Sequence, residues 1–213
     1  MSKSVFKISL IFCLAATAIF IGIYLDEFSD IVFSTVFTGL FQTEAGSIFN
    51  NYECLFGISK LIQKLQLFFT NYNMYGLILT IINSYCIYKI IVLIAECTIL
   101  KTRNIFVLFI FLNITGLLLH DFIFIQFTKT AIFCNFIGCY LLFFDAKKTK
   151  TAIALIILGM LLRNETFWLV IIVTFGFVLI LQRQLLIEHL KNKKIIWLSV
   201  VCIGITISIL NKK

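Results

Sequence analysis

Proline is absent from all 213 residues, and nothing in the chemistry of the chain accounts for that. Charge is scarce. Asp, Glu, Lys and Arg make up 13% of the residues against 61% hydrophobic, and the mean hydropathy is +1.06. A soluble domain is about half apolar and about a quarter charged, so one soluble core is excluded and an integral membrane protein is expected. Histidine occurs only as His120 and His189, too far apart in sequence for metal spacing. The seven cysteines form no Cys-x-x-Cys pair. Cys13, Cys86, Cys97, Cys134, Cys139 and Cys202 lie in or beside apolar runs and read as packing residues, and only Cys54 falls in a long loop. There is no glycine-rich phosphate loop, nucleophile motif or soluble nucleotide-sugar domain. No metal and no cofactor are expected.

What is present is a series of apolar runs, and residues 151–181 are the most informative of them. Thr151–Leu162 and Thr166–Leu181 are apolar, split by Arg163-Asn164-Glu165. As one helix this stretch would extend ~46 Å, against a hydrocarbon core of ~30 Å. It would also hold an arginine and a glutamate near mid-membrane, at a cost of several kcal/mol. A hairpin of two short spans instead sets the charged tripeptide at an aqueous face.

The other spans are expected at Val5–Leu25, about Asn73–Ala95, Asn104–Leu119, Phe122–Phe144 and Ile195–Leu210. Ala16-Thr17-Ala18 imitates a signal-peptidase site, but the apolar run continues past it, so the first span is expected to be an uncleaved anchor. The fold class is therefore all-α: a polytopic transmembrane bundle of about seven spans, with residues 1–213 forming a single domain. Residues 26–72 form a first outer loop. Within it Ile58, Leu61, Ile62, Leu65, Phe68 and Phe69 share one helical face, with Ser59, Lys60, Gln63, Lys64 and Gln66 on the other. That pattern predicts an amphipathic helix, lying along the membrane surface or packed on neighbouring spans.

Lysine and arginine set the orientation. Eleven of them fall at the N-terminus and after spans two, four and six, and five (Lys60, Lys64, Arg163, Lys212 and Lys213) on the other side. The positive-inside rule puts the N-terminus in the cytoplasm. A single helix over 151–181 would move Arg183–Lys194 outside and destroy this asymmetry. The net charge of +8 thus reads as cytoplasmic loops on a lipid bilayer, with no nucleic acid as partner. Lys89 lies ~9 Å from the inner end of its span and can snorkel there. Lys129 lies ~10 Å below the outer end of its span, either snorkelling outward or facing a polar cavity.

In this topology Asp26, Glu27, Asp30, Glu44, Asp121, Arg163 and Glu165 lie on the outer face. A carboxylate beside an arginine suits a general base next to an anion site, the guanidinium fork gripping phosphate through two hydrogen bonds. The plain alternative is that loops carry charges because they touch water, and that Arg163 and Glu165 form a helix-end salt bridge.

The stretch Ser29-Asp30-Ile31-Val32-Phe33-Ser34-Thr35-Val36-Phe37-Thr38-Gly39 resembles the first outer loop of bacterial GT-C-type membrane glycosyltransferases, where an acidic pair precedes an apolar helix closing on glycine. Asn71-Tyr72-Asn73-Met74-Tyr75-Gly76-Leu77 is similar to an Asn-Trp-Tyr-Gly lead-in to the second span. Gln126-Phe127-Thr128-Lys129-Thr130-Ala131 continues the resemblance, and Leu161-Leu162-Arg163-Asn164-Glu165 is similar to a Leu-Ile-Arg-Pro-Glu turn. The similarity runs with gaps over most of residues 26–181. It implies a polyprenyl-phosphate-linked sugar donor, transfer at the outer face of the inner membrane, and Asp30 as the catalytic base. Arg163, Glu165, Asp121 and Lys129 are the expected substrate-binding residues. The chain departs from the pattern at Ser29, where a second acid is usual, and at Asn164, where proline is usual. It is also short for such enzymes, as an N-terminal part or a degenerate copy would be. The competing expectations are a transporter or flippase-like module, with Arg163–Glu165 as a midplane break between half-helices, and a non-catalytic membrane subunit.

Overall fold

The computed structural model describes residues 3–20, 23–25, 58–97, 105–145, 148–181, 187 and 194–211. The described residues form eight helices and one two-residue strand pair. Helix α1 is Lys3–Phe20, α2 Ile58–Phe68, α3 Met74–Cys97, α4 Ile105–Ile123, α5 Phe127–Phe144, α6 Thr149–Leu162, α7 Asn164–Leu181 and α8 Lys194–Asn211. Strand β1, Tyr24–Leu25, pairs in parallel with β2, Phe124–Ile125.

The all-helical expectation holds, while length and composition alone mark fewer spans than the seven expected. Among the described residues two helical stretches, Met74–Ala95 and Phe127–Phe144, are long and apolar enough to cross a membrane. Phe6–Ile19, Thr149–Leu162, Asn164–Ile180 and Ile196–Ile207 are apolar but shorter. The reason is length: the 14 residues of α6 rise only ~21 Å against the ~30 Å of a hydrocarbon core. The run expected as one span over Phe122–Phe144 is itself divided. Helix α4 continues through His120 and Asp121 to Ile123, the chain extends as β2, and α5 starts at Phe127.

The division at 151–181 narrows from a tripeptide to one residue. Arg163 is extended, with φ −154° and ψ 104°, and its N–H closes α6 on the Gly159 carbonyl. Asn164 already belongs to α7. The chain reverses there. Gly138 of α5 lies against Ala152 and Ile156, and Asn135 against Gly159, so α6 runs antiparallel to α5. Asn135 also meets Thr166, and Phe143 meets Phe175, so α7 runs parallel to α5. The hairpin is a feature of the structure.

Helix α5 is the centre of the bundle, touching α3, α6 and α7. Its buried residues include Phe127, Ala131, Cys134, Ile137, Gly138, Leu141 and Leu142, which wrap most of its circumference, as expected for a helix enclosed on several sides. Gly138 permits the close approach of α6, since a Cβ there would fall 2.9 Å from the Ala152 carbonyl oxygen. At the opposite end of α5 from Arg163, the rings of Phe143, Phe175 and Trp197 meet at 4.9–5.3 Å between centroids and tie α5, α7 and α8 together.

The amphipathic helix of the first loop forms as α2, but the expected faces hold only in part. Ile62 is buried as expected and Lys64 is exposed, but Leu61, Phe68 and Phe69 are exposed too and Gln66 is fully buried at 0%. Gln66 is buried because its carboxamide clips the turn into α3. It accepts from the Met74 N–H at 3.1 Å and donates to the carbonyls of Phe69 and Tyr72 at 3.3 and 2.9 Å. Asn73 then caps α3, its side-chain oxygen accepting from the Gly76 N–H at 3.0 Å.

Candidate functional site at the helix breaks

Two breaks in helical structure, at Phe124–Gln126 and at Arg163, bring charged side chains to the first turn of α5. Lys129, in that turn, reaches Asp121 in the last turn of α4, with Nζ 3.1 Å from Oδ1. Both are partly exposed, at 30% and 26%. The His120 ring lies on the other side of Asp121, with Nδ1 3.6 Å from Oδ1, and stacks on Phe124 at 4.9 Å. The Asp121 main-chain carbonyl accepts from the Asn83 amide of α3 at 2.9 Å.

One residue away from Lys129, Thr128 accepts a hydrogen bond from Arg163 Nη1 at 2.6 Å. Arg163 Nε donates to Glu165 Oε2 at 3.4 Å, and its guanidinium carbon lies 5.5 Å from the centre of the Phe127 ring. These two bonds use two of the five guanidinium N–H groups. The turn beneath is fixed by a relay. Asn135 of α5, fully buried, donates to Thr166 Oγ1 at 3.1 Å, and Thr166 donates to the Arg163 carbonyl at 2.7 Å.

The four expected substrate-binding residues therefore fall in two ion pairs flanking one helical turn. Each pair, Lys129 with Asp121 and Arg163 with Glu165, joins one basic and one acidic side chain. Each cation is held by a carboxylate that an incoming anion can displace or bridge. Lys129 is not ~10 Å below its span end as a continuous helix would have it. The break at 124–126 makes it the third residue of α5. Asp30 lies outside the described residues, as do Asp26, Glu27 and Glu44. Lys89 lies over the rings of Tyr85 and Tyr88, at 5.3 and 5.8 Å from their centres.

Asn83 lies nine residues inside α3, about 14 Å along its axis from Met74. An apolar cavity of about 320 Å³ opens between α1, α3 and the end of α4, lined by Leu14, Ala18, Ser84, Tyr88 and by Phe122, the neighbour of Asp121. Among the described residues no cluster of three or more His, Cys, Asp or Glu side chains is arranged to hold a metal ion.

Reading the sequence missed Asn83, Thr128, Asn135 and Thr166. Their signal was present, because all four are polar residues within apolar runs, where such side chains bond across helices. Comparison with protein-family models, with curated proteins and with solved structures finds no match to this chain.

Proposed function

We propose that this chain is a polytopic membrane protein that acts as a GT-C-like glycosyltransferase, using a polyprenyl-phosphate-linked sugar at the outer face of a bacterial inner membrane. The observation that carries the reading is that two ion pairs, Lys129 with Asp121 and Arg163 with Glu165, both lie at the first turn of α5. In this reading Lys129 and Arg163 hold the donor phosphate. Glu165 and Asp121 keep them oriented until the anion arrives. Asp30 takes the proton from the acceptor hydroxyl, and four residues of chain join it to β1, which pairs beside Asp121.

Membrane embedding is supported by the outward faces of the helices. Leu169, Ile172, Val173, Phe177 and Ile180 form an exposed apolar stripe on α7, and Ile8, Ile11, Phe12 and Ile19 form another on α1. Contiguous apolar surface of this kind belongs against lipid or protein. The seven-span arrangement, cytoplasmic N-terminus included, is part of the proposal. Its short helices are accommodated by local thinning of the bilayer around the hairpin tip.

The test is sugar transfer from a polyprenyl-phosphate donor in proteoliposomes, comparing wild type, Asp30→Asn and Arg163→Lys. Asp30→Asn keeps the shape and removes the proton acceptor, so transfer should be abolished. Arg163→Lys keeps the charge and loses the planar fork, so donor KM should rise more than acceptor KM. Transfer unaffected by Asp30→Asn would reject the base. A second reading, translocation of a lipid-linked phosphate, draws on the two helix breaks, since broken helices with converging polar groups also serve transporters. Flipping of a labelled lipid phosphate without any sugar transfer would favour it.

A further inference from the structure

Cys86 of α3 and Cys134 of α5 face each other with their sulfurs 3.4 Å apart, and both residues are fully buried at 0%. One thiol hydrogen-bonds the other. Of the other cysteines whose side chains are described, Cys13 and Cys202 are exposed and Cys139 is buried. The pair sits on a seam. Helix α3 carries the contacts to α1, α2 and α4, while α5 carries those to α6 and α7, and α3 meets α5 directly. It also sits among the residues that hold the ion pairs. Asn83, which holds Asp121, is one turn from Cys86, and Asn135, which holds Thr166, follows Cys134.

We propose that Cys86 and Cys134 are a reversible dithiol–disulfide couple that locks α3 to α5. A disulfide needs a sulfur–sulfur distance of about 2.05 Å, a closure of little more than an ångström from the 3.4 Å between the two thiols. The product is neutral, so no charge is buried in the apolar seam. Two S–H bonds break and one S–S bond forms. The two electrons and two protons pass to a membrane-permeant acceptor of the quinone or azo class, which becomes the quinol or the hydrazine. Burial keeps bulky water-soluble thiols and disulfides away from the pair, so the couple answers to small membrane-permeant oxidants. The proposal rests on the α3–α5 interface alone and is independent of the transferase reading.

The experiment uses the full chain in liposomes, treated with the azo oxidant diamide. Free thiols are then blocked with N-ethylmaleimide in SDS, and the protein is digested for mass spectrometry. The expected result is a Cys86–Cys134 cross-linked peptide pair, lighter than its reduced components by two hydrogens and lost on treatment with dithiothreitol. Oxidised wild type should also show a higher thermal midpoint than the reduced protein. Cys134→Ser, which keeps a small polar side chain, should retain its helical circular dichroism and show no such rise. Recovery of both residues as maleimide adducts after diamide would overturn the proposal, as would capture of Cys134 by a cysteine other than Cys86. An equal thermal rise in Cys134→Ser would overturn the lock.

Discussion

Replacing Gly138 by alanine tests the packing that positions everything else. The added Cβ would lie 2.5 Å from Ile156 Cγ1, 2.9 Å from the Ala152 carbonyl oxygen and 3.2 Å from the Ile156 nitrogen. The isoleucine side chain can turn away, but the two backbone atoms cannot. Reaching ordinary contact means moving α6 off α5 by about half an ångström, enough to forfeit a quarter or more of the dispersion energy along the opened seam. Overpacking of this kind costs about 1–3 kcal/mol. Alanine regains about 1 kcal/mol over glycine as a helix former, so the net loss should be about 0–2 kcal/mol. Gly116 of α4 provides the control, because a Cβ there meets nothing within 4 Å. Gly116→Ala keeps the propensity gain and escapes the clash, and it should be neutral or stabilising by up to about 1 kcal/mol. The assay is thermal unfolding by circular dichroism in one detergent, with the three proteins side by side. Gly138→Ala as stable as Gly116→Ala would refute the close approach of α5 and α6.

Gln66→Leu removes three hydrogen bonds and leaves buried main-chain groups without their partner, a loss of about 1–3 kcal/mol. Amide exchange at Met74 should accelerate, and unchanged exchange there would remove the clip from the account. For topology, Glu165→Cys on the exposed hairpin tip and Asn192→Cys, each in a cysteine-free background, separate the orientations. An impermeant maleimide should label residue 165 from outside and spare residue 192, whereas labelling at 192 alone would invert the proposed arrangement.

The hairpin was legible because length and charge agreed on it. Neither a ~46 Å helix nor a reversed charge distribution was tolerable, and Arg163 does turn the chain. The break at Phe124–Gln126 was not legible. No glycine or proline marks it, and Phe-Ile-Gln continues an apolar helical run as readily as it ends one. What opens the helix there is pairing with Tyr24–Leu25, a partner from beyond the end of α1 that no local pattern announces. The burial of Gln66 was hidden for a similar reason. Its polarity put it on the wet face, and the demand came from main-chain groups of a turn that had not been located.

The charged residues of the site were visible singly, as charges among apolar neighbours, but their pairing was not, and the reason lies in the same break. Asp121 and Lys129 are eight residues apart, so a continuous helix would separate them by about 12 Å along its axis. They meet at 3.1 Å because the chain leaves helical geometry between them. The ion pair is thus a direct reporter of the broken helix, and it can be trapped. A water-soluble carbodiimide activates the Asp121 carboxylate, and the Lys129 amine displaces the urea to leave an amide bond with loss of one water. Both groups are open enough to solvent, at 26% and 30%, for the reagent to reach them. The reaction needs contact, so it succeeds across a salt bridge and fails across ~12 Å of helix. Mass spectrometry of wild-type protein should show Asp121 joined to Lys129, and Lys129→Arg, which keeps the charge but offers no primary amine, should abolish the product. Efficient labelling of Asp121 by an added amine with no Asp121–Lys129 bond would restore the continuous span, and the two-sided anion site around α5 would fall with it.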